Sequence, residues 1–225
     1  MTMNGSPSAR SQRHSRLDVI EAALAILDQY GLADLTMRRL ALTLNVQPSA
    51  LYWHFENKQT LLAAVADRIV RRAHTRPRDE IDWASAVRFE AGALRDALLS
   101  FRDGAEVVLS SQALGLGNGE ALTRFSAAIR LGDFDDRIER AAAAAFLHFL
   151  LGHVSHEQQR VQADSLGVVA PALGAHPSDA DARAHWERDS FDFGVSLLIA
   201  GLAARREIAR QGRSTARQAN EMRSA

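Results

Sequence analysis

The stretch Leu35–Lys58, LTMRRLALTLNVQPSALYWHFENK, constrains this chain more than any other. It reads as two short helices joined by a tight turn, followed by the capped start of a third. Thr36 is placed to N-cap the first helix, because its hydroxyl accepts one of the amide protons that a first turn leaves unpaired. Leu40, Ala41 and Leu44 recur at helical spacing and give that helix one apolar face. Asn45 ends it, asparagine being one of the few residues that tolerate left-handed backbone geometry. Pro48 suits the first position of the next helix, where a missing amide proton costs nothing.

That second helix, Pro48 to Phe55, spans only about two turns, yet it carries Tyr52, Trp53 and His54 side by side. A core helix has little use for three adjacent rings, since one of them must face solvent. A helix lying in a DNA groove can use them all. Tyr52 and His54 suit phosphates, while Ser49 and Ala50 are small enough to let the backbone approach base edges. A helical hairpin inside an ordinary bundle is the competing reading.

The runs LTMRRLA and LYWHFENKQTLL together resemble the DNA-binding helix-turn-helix of the TetR family of bacterial repressors. The likeness continues through ALLSFRDGAEVVL and FLHFLLGHV, covers most of residues 16 to 207, and is nearest to the tetracycline repressor branch. It implies that Arg38 reaches a base edge from the first helix of the pair, and that Tyr52, His54 and Lys58 contact phosphates. Thr36, Met37, Pro48, Ser49, Ala50 and Trp53 complete the expected DNA-facing set. Met37, Pro48 and Ala50 depart from the tetracycline repressor at or beside contact positions, which implies a different operator.

The formal net charge is zero, but its distribution is uneven. Residues 1–76 hold ten Lys+Arg against six Asp+Glu, and the remainder holds seventeen against twenty-one. A basic end joined to an acidic body suits a phosphate partner. Residues 1–15, rich in Ser, Gly, Pro, Arg and His, read as a disordered arm, with Arg10, Arg13 and Arg16 able to trail along a DNA backbone. Cysteine is absent, which excludes a disulfide framework and a thiolate metal site. No apolar run is long enough to span a membrane and no apolar signal core opens the chain, so a soluble cytoplasmic protein is expected.

The remaining pattern is helical. Leu17 to Tyr30 carries an apolar stripe that Gly31 stops. Asn57 suits the N-cap of a fourth helix, with Lys58 at its positive end and Leu61, Leu62, Val65, Ile69 and Val70 on its inner face. That helix is expected to reach Arg71, Arg72 and His74 before Pro77, a geometry suited to a lever. Further helices are expected over 83–102, 104 to 109, 120–131, 135–157 and 189–209, with a polar loop at 158–187 that carries one short helix. No β-branched alternation occurs, so the expected fold is all-α. Its parts are a basic arm (1–15), a helix-turn-helix DNA-binding domain (16–56), a linking helix (57–76), a ligand-binding and dimerisation domain (77–210) and a disordered tail (211–225). The wide apolar surfaces of 135–157 and 189–209 suggest subunit pairing, and the resemblance implies a four-helix dimer interface built from them.

The resemblance also frames the effector. His74 falls on a drug-contacting histidine of the tetracycline repressor and His148 on a pocket-lining one, but its metal-ligating histidine corresponds to Val108 here. Its Thr-Arg-Pro becomes Ser111-Gln112-Ala113, its drug-holding Asn and Phe become Glu90 and Leu94, and the carboxylate behind the metal becomes His156. Valine offers no lone pair to magnesium, so magnesium-tetracycline is not the expected effector. A small, largely apolar organic molecule is expected instead, in a pocket drawn from His74, Glu90, Leu94, Val108, Gln112, His148 and His156, with Glu90 favouring a donor or a positive charge. His148 and His156 lie eight residues apart on one helix face and are expected to line one cavity with His74 and Glu90. The alternative is an α-helical enzyme or metal-binding protein that uses this cluster. Against it, no nucleophile–base spacing, HExxH pairing or cofactor fingerprint occurs, so neither catalytic residues nor a cofactor are expected.

Overall fold

The computed structural model describes residues 14–75, 82–165 and 180–223. Within them lie nine α-helices: α1 (Arg16–Tyr30), α2 (Met37–Thr43), α3 (Pro48–Tyr52), α4 (Lys58–Val70), α5 (Trp83–Leu99), α6 (Gly104–Ala113), α7 (Glu120–Arg130), α8 (Asp136–Ser165) and α9 (Ala180–Arg223). No strand occurs among the described residues, in keeping with the all-α expectation. The basic arm, apart from His14 and Ser15, lies outside them.

Local chemistry sets the helix ends. Ser15 and Asp18 form a reciprocal capping box on α1, and the Ser15 backbone and side-chain hydrogen bonds hold the Asp18 carboxyl below the ordinary aspartate range. Thr36 caps α2 by accepting from the Arg39 amide at 3.1 Å, and Asn57 caps α4 by accepting from the Thr60 amide at 2.9 Å. Asn45 adopts φ 51°, the left-handed turn between α2 and α3. Gly31 ends α1 at φ 84°, and a Cβ there would also sit 2.8 Å from the Asp103 carboxylate, so both backbone and neighbour require glycine.

α1 packs on α2 and α4, and α2 on α3. Leu24 and Leu27 of α1, Leu40 of α2, Leu51 of α3, Phe55, and Leu61 and Ile69 of α4 form their shared core. Truncating one such leucine to alanine costs about 2–5 kcal/mol. Beyond α4, α5 is the central element and touches α4, α6, α7, α8 and α9. α9 lies along α8, where the Phe149 and Phe191 rings stack 5.8 Å apart and Gly194 lets the two helices close together.

Several expectations about extent change. α3 ends at Tyr52, so Trp53 and His54 lie just beyond it, and α6 runs past Leu109 to Ala113. α4 ends at Val70 and the chain turns through Arg71–Ala73, so His74 lies beyond the helix. α8 runs to Ser165, well past residue 157, because its polar residues have partners on other helices. Gln158 donates to the carbonyls of Leu98 and Phe101 at 3.1 and 2.8 Å and accepts from the Ala105 amide at 3.1 Å. It thus satisfies the end of α5 and the start of α6 together. α9 spans Ala180–Arg223, so most of the expected loop at 158–187 and tail at 211–225 is helical where described, whereas Pro171, Gly174 and Pro177 lie outside the described residues.

Candidate nucleic-acid interface and effector region

The helix-turn-helix presents one polar face. Thr36, Arg38, Pro48, Ser49, Tyr52 and Trp53 are exposed, while Met37, Ala50, His54 and Lys58 are half-buried at its margins. Trp53 is 89% exposed, an unusual position for the largest side chain unless a partner covers it. The adjacent arginines divide their work. Arg39 pairs with Asp34 at 3.0 Å and lies over the Tyr30 ring at 4.4 Å, so it is structural. Arg38 has no ion-pair partner among the described residues. His14 shares a 2.9 Å hydrogen bond with the Leu44 carbonyl, which sets the start of the arm against the turn between α2 and α3.

Polar links run from this unit into the rest of the molecule. Arg68 of α4 and Arg72 just beyond it reach Glu21 of α1 at 2.6 and 3.4 Å. Arg71 reaches Glu120 of α7 at 3.2 Å, and Asp67 accepts from the Asn118 amide at 2.9 Å. Asp103, between α5 and α6, accepts from the Leu32 amide at 2.7 Å through one oxygen and from Gln162 of α8 through the other. Each link is non-local, so neither Asp103 nor Gln162 carried a sequence signal.

The residues expected around an effector separate into four places. Glu90 is buried on α5, and its Oε2 accepts from Arg124 Nε of α7 at 2.7 Å. The same guanidinium donates to the carbonyls of Ala73 and His74 at 3.4 and 2.6 Å, just beyond the end of α4. His74 is therefore joined to Glu90 through its backbone, while its side chain is exposed. Arg124 was missed from the sequence, because only the fold brings it to Glu90. Leu94 is a core residue at 1% exposure. Val108 and Gln112 line a cavity of only ≈10 Å³ between α4, α6 and α7, closed by Val70, Leu116 and Ala121, a space no larger than about one water.

His148 and His156 stand elsewhere, and this corrects the expected four-residue cavity. They are exposed with Ala141, Ala145 and Gly152 on one face of α8, whereas Ala143, Phe146, Leu147, Leu150, Leu151 and Val154 form its buried stripe. The eight-residue spacing put both rings on one face, as expected, but that face is the outer one. No group of three or more His, Asp or Glu side chains that could hold a metal ion occurs among the described residues. No helix there is long and apolar enough to cross a membrane.

Comparison with known proteins agrees with this arrangement. Residues 19–65 match the model of bacterial regulatory proteins of the tetR family, and residues 76–206 match that of the tetracyclin repressor-like C-terminal domain. The tetracycline repressor protein class G of Vibrio anguillarum is 35% identical over 194 residues, 81% of this chain and 90% of that protein. The crystal structure of Mycobacterium smegmatis BioQ is 43% identical with a TM-score of 0.73, covering 85% of this chain and 98% of that one. A structure of BioQ with its natural double-stranded DNA operator is 41% identical with a TM-score of 0.69, covering 85% and 99%. Proteins of this kind are DNA-binding regulators rather than enzymes. The chain belongs to the tetR family of bacterial regulatory proteins.

Proposed function

We propose that the protein is a homodimeric repressor that binds a palindromic operator and is released by a small organic effector other than magnesium-tetracycline. The observation that carries this reading is the exposed helix-turn-helix face, where Arg38 has no ion-pair partner among the described residues, Tyr52 and Trp53 are exposed, and Lys58 starts α4. Arg38 reads a base edge, and Tyr52, His54 and Lys58 hold phosphates. The BioQ relative solved with its operator supports the same use of this face.

A second copy of the chain covers α8 and α9. Phe193 and Leu197 are 70% and 61% exposed, beside the small residues Ala141, Ala145, Gly152, Ala200 and Gly201. An open groove of ≈710 Å³, lined by Ile138, Ala141, Leu197, Leu198 and Leu202, runs between the two helices. Such a face is self-complementary about a twofold axis. The pairing also sets two recognition helices about one DNA turn apart.

The effector acts where Arg124 joins Glu90 to the end of α4. A ligand with a donor or positive charge that takes Glu90 frees Arg124 from the Ala73 and His74 carbonyls. α4 then shifts and moves Lys58 at its other end. Val108 and the ≈10 Å³ cavity beside it argue against a magnesium-drug complex.

Light scattering and gel shifts on Leu197→Arg test the reading. The variant is expected to be monomeric and to lose operator affinity, while magnesium-tetracycline leaves the wild-type complex intact. A dimeric, DNA-binding Leu197→Arg contradicts the assigned interface, and release by magnesium-tetracycline contradicts the effector assignment.

A further inference from the structure

A separate cavity of ≈370 Å³ lies where the turn between α5 and α6 meets the last turns of α8. Its size falls within the range of small-molecule sites. Leu99, Phe101 and Val161 supply its apolar wall, and Asp103, Glu157 and Gln162 its polar one. None of these six residues belongs to the Glu90–Arg124 region.

Apart from Arg102, the charged groups on the polar wall are acceptors. The Gln158 amide that borders the cavity gives its nitrogen to Leu98 and Phe101, and its oxygen accepts from Ala105. One N–H of the Gln162 amide goes to Asp103, and the Gln162 side-chain Oε1 is left to accept. Glu157 is neutralised by Arg95, whose Nη2 lies 2.8 and 2.9 Å from its two oxygens. Arg102 is turned along Gly31, with its Cδ 3.4 Å from the position a Cβ would take there. Arg102 and Asp103 therefore stand side by side on the wall, and the Asp103 carboxylate, which holds the Leu32 amide at 2.7 Å, has no ion-pair partner among the described residues.

We propose that this cavity is a second small-molecule site, which takes an aromatic molecule bearing a primary ammonium group. Its ring lies on Leu99, Phe101 and Val161, and its ammonium donates to Asp103 and the Gln162 side-chain oxygen. A bound ammonium competes with the Gln162 amide and the Leu32 amide for Asp103, so occupancy is read at the loop that follows α1. By linkage, whatever state of that joint the amine favours is the state it populates. The coupling to DNA rests on the operator-binding reading given above, whereas the site itself does not.

The test is calorimetric titration of the full chain with tryptamine, and with indoleacetate as its anionic counterpart. Loss of one charge-assisted hydrogen bond changes affinity about tenfold. Tryptamine is therefore expected to bind roughly tenfold or more tightly than indoleacetate. Asp103→Asn and the cavity-filling Val161→Trp should each weaken tryptamine by about the same factor or more, and Glu90→Gln should leave it unchanged. Absence of tryptamine binding overturns the proposal, as does equal binding of the two compounds. Binding that survives Val161→Trp but is lost in Glu90→Gln also overturns it, because the amine then sits in the effector region. No DNA enters the titration, so failure of operator binding and failure of this site are told apart.

Discussion

The Asp103 carboxylate accepts a hydrogen bond from the Leu32 backbone amide at 2.7 Å, tying the turn between α5 and α6 to the loop that leaves α1. Asp103 itself sits at φ 56°, a left-handed position that Asp and Asn tolerate and most residues do not. Asp103→Ala removes the acceptor and leaves a part-buried amide unpaired, which costs about 1–3 kcal/mol. Urea unfolding should show that loss. Asp103→Asn, which keeps one acceptor oxygen and the backbone preference, should recover most of it. Equal unfolding midpoints for wild type and Asp103→Ala would show that the bond contributes nothing to the joint.

The pair formed by Glu90 and Arg124 is almost fully enclosed, with side-chain exposures of 8% and 14%. Removing one partner strands the other, and breaking a buried pair costs about 3–5 kcal/mol. Arg124→Leu should approach that range in chemical denaturation. The double variant Glu90→Leu/Arg124→Leu should be more stable than Arg124→Leu alone, because no buried charge is left over. A double variant whose two losses simply add would contradict direct pairing.

The first four helices were legible because their signals are local. Thr36, Asn57, Gly31 and Asn45 each announce a helix end within a few residues, and the structure places a cap or a left-handed turn at each. The second half of α8 was not legible. Glu157, Gln158 and Gln162 look like loop residues until Arg95, Leu98, Phe101 and Asp103 arrive from more than fifty residues away. The same holds for the effector region: Glu90 was visible as an odd carboxylate, but Arg124, which satisfies it, was not. For His148 and His156 the spacing gave the shared face, while the side of α8 that is buried is decided by α5, α6 and α7.

Gly194 is where α9 meets Phe149 of α8, and a Cβ there would overlap the ring. Overpacking of this kind costs about 1–3 kcal/mol. Gly194→Ala should lower the thermal midpoint accordingly. Gly152→Ala, at a position with open space around it, should be close to neutral within this chain. Equal midpoints for the two variants would contradict the close approach of α8 and α9.

Arg130 donates to both carboxylate oxygens of Glu139, at 2.9 and 3.2 Å, and holds that carboxyl below the ordinary glutamate range. A depressed folded-state value stabilises the protein above the ordinary glutamate range, and the gain is lost as pH falls through the depressed value. The difference in thermal midpoint between wild type and Glu139→Gln should therefore shrink between about pH 6 and about pH 3. A difference that stays constant or widens with acidification would contradict the pairing.

Arg38 and Tyr52 are expected to fail in different ways. Tyr52→Ala should weaken binding to all DNA, because a phosphate contact carries no sequence information. Arg38→Ala should instead lower discrimination at one base pair by roughly 1–3 kcal/mol. Competition titrations with specific and random duplexes separate the two. Equal losses for both variants on both DNAs would contradict the assigned roles.

The central claim is that the exposed face of α2, α3 and the start of α4 holds operator DNA. Its most direct test is a fluorescence-polarisation titration of the purified protein on the DNA flanking its own gene, repeated over a salt series. The account predicts a tight complex with a palindromic site, whose log affinity falls with log salt by about 0.9 per neutralised phosphate. No binding at low salt, either to that DNA or to a random-site library, would contradict it.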